Sequence, residues 1–120
     1  MSPKQLALRI AKILDAKKAH ELSVIEVTEV TELADYFVIC TGNSSTQVRA
    51  AADEVEFKLK NEDGVMPYHI EGHTTRTWIV MDYGCVVVHI FDPEARTYYD
   101  LERLWADGKK VDPSEYVTEG

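Results

Sequence analysis

Basic residues are scarce outside the first twenty positions of this chain. Of its 13 lysines and arginines, five (Lys4, Arg9, Lys12, Lys17 and Lys18) lie there, together with one of the 21 carboxylates, Asp15. The rest of the chain therefore holds eight cations against twenty acids, a field that repels bare phosphate and attracts basic surfaces. A basic protein partner suits it better than free nucleic acid. Cysteine is rare as well: Cys40 and Cys85 stand alone in apolar β-like runs, with none of the spacings of a disulfide or zinc framework, and read as reduced, buried small hydrophobes. No uncharged stretch approaches the ~20 residues of a membrane helix, and no apolar run of signal-peptide length opens the chain. The expectation is a soluble, cytoplasmic protein with no membrane contact. Six glycines and four prolines are scattered over 120 residues, so no repeat, low-complexity tract or interdomain linker appears.

What is present is concentrated in Trp78-Ile-Val-Met-Asp82-Tyr-Gly84-Cys-Val-Val-Val-His89-Ile-Phe91. Asp82-Tyr83-Gly84 joins two β-rich runs, and Gly accepts the positive φ of a tight hairpin. The second run is too apolar to alternate between core and water. Val86, Val87, Val88, Ile90 and Phe91 are expected to be buried on both faces of a strand inside a helix-covered sheet. Trp78, Asp82, Tyr83 and His89 are the chemically distinct groups around that hairpin.

The remaining elements follow from spacing. Residues 3–18 read as an amphipathic helix with Pro3 in its first turn. Ser23–Val27 and Tyr36–Cys40 read as strands, the second ended by Thr41-Gly42-Asn43. Ser44 and Gln47 have capping-box spacing before the stripe Val48, Ala51, Ala52, Val55 and Leu59, a helix that stops near Asn61–Gly64. Met66–Ile70 reads as a short strand and Glu71-Gly72 as a turn, ahead of the hairpin strands Thr75–Met81 and Cys85–Phe91. Pro93 interrupts the sheet. Tyr98, Leu101, Leu104 and Trp105 then recur at helical spacing and read as core-facing, with Asp100 and Glu102 solvated. From Asp107 onward the composition reads as a weakly ordered polar tail. The expected architecture is one α/β (α+β) domain over residues 1–106, a mixed sheet of about five strands flanked by helices, followed by a tail over 107–120.

The same residues carry a likeness. Asp35-Tyr-Phe-Val-Ile-Cys-Thr-Gly-Asn-Ser44-Ser-Thr-Gln47, Glu71-Gly72, Trp78-Ile-Val-Met-Asp82-Tyr-Gly84 with Val88-His89, and Arg96-x-Tyr98-Tyr-x-Leu-Glu102-x-Leu-Trp105 together resemble the ribosomal silencing factor (Iojap) family over about residues 5–105. One departure is Cys85, at a hairpin position where the family usually has Asp. The resemblance implies a nucleotidyltransferase-like topology and a binder rather than an enzyme, with no cofactor. It also implies docking on the large ribosomal subunit through large-subunit ribosomal protein fourteen, little direct nucleic-acid contact, and a bulk that blocks small-subunit joining. Trp78, Asp82, Tyr83, Gly84, Glu71 and His89 are the expected partner-binding residues.

Other readings stay open beside it. Trp78 also suits a core position, Asp82 a turn cap, Glu71-Gly72 a plain turn and His89 a neutral core histidine bonded to backbone. The alternative function is a nucleotidyltransferase-like or nucleotide-binding protein. Its phosphate site would be the Gly42–Ser44 turn feeding a capped helix, yet no paired Asp-x-Asp and no Walker-type lysine accompanies it. A metal site built from His69, His73, His89, Asp82 and Cys85 is disfavoured because Glu71-Gly72 breaks the helix that would align His69 with His73. An apolar hairpin would also allow a homodimer in the free protein.

Overall fold

Ser2 starts the first helix. Its hydroxyl accepts the Gln5 N–H at 3.1 Å while the Gln5 side chain accepts the Ser2 N–H at 2.8 Å, with Pro3 in the first turn. The computed structural model describes residues 1–72 and 77–117, except for the Leu104 side chain. Helix α1 (Pro3–Ala16) leads to strands β1 (His20–Glu26) and β2 (Tyr36–Thr41), then to helix α2 (Ser45–Lys58) with a π-helical turn over Leu59–Asp63. Strand β3 (His69–Glu71) and the hairpin β4 (Trp78–Asp82) and β5 (Val86–Phe91) follow. Helix α3 (Pro93–Tyr99), the single turn α4 (Leu101–Leu104) and strand β6 (Lys109–Lys110) close the fold. Ser44 caps α2 as its spacing predicts, accepting from the Gln47 N–H, whereas the Gln47 side chain reaches back to the Asn43 N–H, one residue earlier than in a strict capping box.

The six strands form one mixed sheet in the order β3-β4-β5-β2-β1-β6. Strands β2 and β5 lie parallel at its centre and every other pairing is antiparallel. This explains the valine run: β5 is flanked on both edges and covered on its α1–α2 face, and its other face is covered as well except at Val87, which is half-buried rather than buried as expected. One face carries Val38, Cys40, Ile79, Met81, Val86, Val88 and Ile90 under α1 and α2, and the other carries Phe37, Ile39 and Phe91 under α3 and α4. The expected single α+β domain with a helix-flanked mixed sheet is what forms.

Three expectations are corrected. The sheet has six strands rather than about five, because residues read as a weakly ordered tail return to it. Lys109–Lys110 pairs with β1, and Tyr116 sits in the main core at 2% exposure. Polar composition concealed a single aromatic plug. Tyr98, read as core-facing, is 81% exposed, since Asp100 enters the left-handed region (φ 44°) and breaks the helical phase between Tyr98 and the buried Leu101. Glu102, read as solvated, is half-buried and binds the buried Arg96 guanidinium at 2.7 Å. Arg96 also donates to the Thr41 hydroxyl at 2.9 Å, tying α3 and α4 to the end of β2.

Candidate functional site

Period two along a strand decides which hairpin residues share a surface. Trp78, Val80 and Asp82 alternate with the buried Ile79 and Met81, so the first three point to the face opposite α1 and α2. Directly opposite them in the register, Glu71 pairs with Val80, His69 with Asp82, and Val87 with Asp82. The short α3–α4 segment covers the other end of this sheet face and leaves this end half-open. Trp78, Val80, Asp82 and Val87 are half-buried there, and His69 and Glu71 are exposed. The result is an apolar strip rimmed by two carboxylates.

Trp78 is held in place by its neighbours. Its indole stacks on Phe91 (centroids 5.1 Å apart) and packs against Tyr99 (4.4 Å), and the indole N–H donates to His89 Nδ1 at 3.2 Å. Because Nδ1 accepts, the hydrogen of the neutral His89 ring lies on Nε2, which is buried without a hydrogen-bond partner among the described residues. Burial lowers the His89 pKa to about 4, so the ring is neutral near pH 7. His89 is therefore a core histidine bonded to a side chain, not to backbone as expected, and reaches any partner only through Trp78.

Asp82 caps its own turn: one carboxylate oxygen accepts the Gly84 N–H at 2.7 Å, while the other faces His69 Nε2 at 3.8 Å. Gly84 has φ 85°, as a tight turn requires, and the Tyr68 ring lies so close that an added Cβ would meet it at 2.8 Å. Tyr68 is 80% exposed and was missed at the sequence level, although Met66, Tyr68 and Ile70 show the period-two spacing of an edge strand. Tyr83 goes the other way. A turn position suggested exposure, but the strand phase swings its ring into the α1–α2 core, where it is 5% exposed. Its hydroxyl finds no hydrogen-bond partner among the described residues, and burial pushes the phenol pKa up. The geometry thus brings Trp78, Asp82 and Glu71 together on one face, places His89 beneath them, and removes Tyr83 from the surface.

The rival chemistries find little support. At the Gly42–Ser44 turn, the Gly42 N–H is bonded to the Phe91 carbonyl, the Asn43 N–H to Gln47 and the Gln47 N–H to Ser44, so much of the donor set a phosphate would need is occupied. Among the described residues no three His, Cys, Asp or Glu side chains converge as a metal site; His73 lies outside those residues. Cys40 is fully buried, its pKa pushed up to about 12, and Cys85 is half-buried; both are free thiols. No described helix is long and apolar enough to cross a membrane.

A family model described as ribosomal silencing factor during starvation matches residues 1–119. The chain belongs to the ribosomal silencing factor family. A silencing factor of Halalkalibacterium halodurans is 38% identical over 112 residues, spanning 93% of this chain and 95% of that protein. A crystal structure of a Chromobacterium violaceum protein superposes with a TM-score of 0.85 at 35% identity, covering 93% of this chain and 92% of the other. A mouse protein named for mitochondrial assembly of the ribosomal large subunit is 31% identical over 102 residues, 80% of this chain and 43% of its own length. The family and its Halalkalibacterium member carry names of silencing factors, not of enzymes. Family membership supports a ribosome-associated role in translational repression and gives the half-open sheet face its context.

Proposed function

We propose that the chain is a translational repressor without catalytic activity that binds the large ribosomal subunit through a basic ribosomal protein, large-subunit ribosomal protein fourteen. Its bulk then keeps the small subunit from joining. The observation that carries this reading is the half-open sheet face, where a pre-oriented Trp78 and an apolar strip are flanked by Asp82 and Glu71. Trp at the centre of a polar-rimmed patch is the preferred form of an interface anchor. The acidic body adds complementary potential toward a basic protein, which steers encounter more than it adds affinity. The large-subunit name of the mouse relative agrees with the subunit chosen. The setting consistent with this role is the cytoplasm. The same face is apolar enough to pair with a second copy when free, in competition with the ribosome.

Cosedimentation with purified large subunits tests the reading directly. The wild-type chain is expected to pellet with large subunits and to slow their association with small ones. Trp78→Ala is expected to weaken pelleting at least tenfold while thermal unfolding stays cooperative. Unimpeded subunit joining with the chain saturating its site would refute the proposal.

A further inference from the structure

We infer that the shallow cleft beside Trp78, lined by Thr77, Asp92, Glu94, Ala95, Tyr98 and Tyr99, receives an arginine side chain of the basic partner, which extends the docking face from the sheet onto α3. This rests on the proposed function for the presence of a basic partner, and on the cleft's own chemistry for the residue type. The cleft is shallow, with a volume of about 300 Å³, room enough for one extended side chain. Its floor continues the anchor without a break: the Tyr99 ring lies 4.4 Å from the Trp78 indole, and Tyr98 stands at 81° to Tyr99 with centroids 5.0 Å apart. The cleft thus offers aromatic surface in two orientations, and Tyr98 is 81% exposed with nothing in the described chain covering it.

The charges select the occupant. Asp92 uses one carboxylate oxygen to cap the Ala95 N–H at 2.8 Å, Glu94 is exposed, and no Lys or Arg stands among the described residues lining the cleft, Arg103 lining instead an adjoining hollow that shares Tyr98 and Tyr99. Two carboxylates next to open tyrosine rings match a planar guanidinium, which stacks on an aromatic face while its edge donates to an acid. An ammonium, more strongly hydrated, gains less from stacking. A nucleic-acid base would use the rings as well, but its phosphates would face Asp92 and Glu94.

The test is an NMR titration of the full chain with a blocked Gly-Arg-Gly peptide, the isosteric but neutral citrulline peptide, the lysine peptide and a short single-stranded RNA. The arginine peptide is expected to shift the Ala95, Tyr98 and Tyr99 resonances and the Trp78 indole N–H, and citrulline to leave them unmoved. Glu94→Gln and Tyr98→Ser, both at exposed positions, are each expected to weaken the arginine response about threefold. Equal response to citrulline, no response to arginine, or a response to the RNA instead would overturn the inference. Large-subunit cosedimentation separates this from the function itself. If Glu94→Gln and Tyr98→Ser pellet as wild type while Trp78→Ala does not, the cleft is outside the interface and only the arginine assignment falls. If the wild-type chain does not pellet at all, the ribosomal reading falls whatever the titration shows.

Discussion

At the scale of single residues, Trp78 and Tyr83 show how five positions along one hairpin divide between a surface and a core. Both are aromatic and both belong to the same hairpin, Trp78 at its open end and Tyr83 in its turn, but Tyr83 has the phase of Met81 and points into the α1–α2 core. Its hydroxyl, without a partner among the described residues, is a net cost there, so Tyr83→Phe is expected to raise unfolding stability by about 1 kcal/mol in denaturant titration and to leave large-subunit pelleting unchanged. Reduced pelleting by this variant would return Tyr83 to the interface. His89 carries a pH signature. Its folded-state pKa, lowered by burial to about 4, lies below the ordinary value of 6.5, so as pH falls the unfolded chain takes up the proton first. Stability from the neutral ring is intact above pH 6.5 and drains away toward pH 4, with about 2 kcal/mol lost between pH 7.5 and 5. His89→Phe is expected to flatten that slope, and an unchanged slope in chemical denaturation at the two pH values would contradict it. The acid side of the profile should also loosen Trp78, whose indole N–H loses its acceptor once Nδ1 is protonated.

At the scale of elements, the C-terminal strand is where composition misled most. Lys109, Lys110, Pro113 and neighbouring acids look like solvated chain, and Val111, Tyr116 and Val117 alone hint otherwise. In the fold this segment closes the free edge of β1 and inserts Tyr116 among Leu6, Ile10 and Val24 of the core cluster. Tyr116→Ala is expected to cost about 3 kcal/mol in thermal or urea unfolding, a core-sized penalty. A change below half a kcal/mol would mean that the segment contributes nothing to folding. Elements with strong local signals were legible in advance: the α2 stripe behind Ser44 and the hairpin around Gly84 form as their spacing predicts, and so does the valine strand apart from the half-buried Val87. The α3–α4 break was not, because it depends on one residue, Asp100, adopting a left-handed conformation that the i, i+3, i+4 pattern around it does not announce.

At the scale of the whole molecule, charge and shape act together. The basic residues of α1 are partly spent within the fold, Lys4 on Glu115 and Arg9 on Glu62 and Asp63, so the sequence-level asymmetry is softened at that end. The carboxylates at the half-open sheet face remain rimmed around an apolar strip. Association with large subunits is accordingly expected to slow as salt rises from low to physiological strength, while the dissociation rate changes little, as surface-plasmon kinetics would show. A salt-independent association rate would remove electrostatic steering from the account. The candidate site is legible in sequence only as a neighbourhood. Spacing points to Trp78, Asp82 and Glu71, which the register places on one half-open face; Tyr83 and His89, expected at a partner surface, are buried, and Tyr68 and Tyr99 come beside that face only through the fold.

The α+β class, the caps and turn of the main elements, the central valine strand and the family were all readable along the chain, because each rests on local spacing or on words read in order. Folding in three dimensions settles which half of the second sheet face stays open, brings the C-terminal residues onto the sheet, and sets His89 beneath Trp78. Those outcomes depend on contacts between residues far apart in the chain, the register of β3 on β4 and the reach of a short α3–α4 segment, and no local pattern encodes how far a covering element extends.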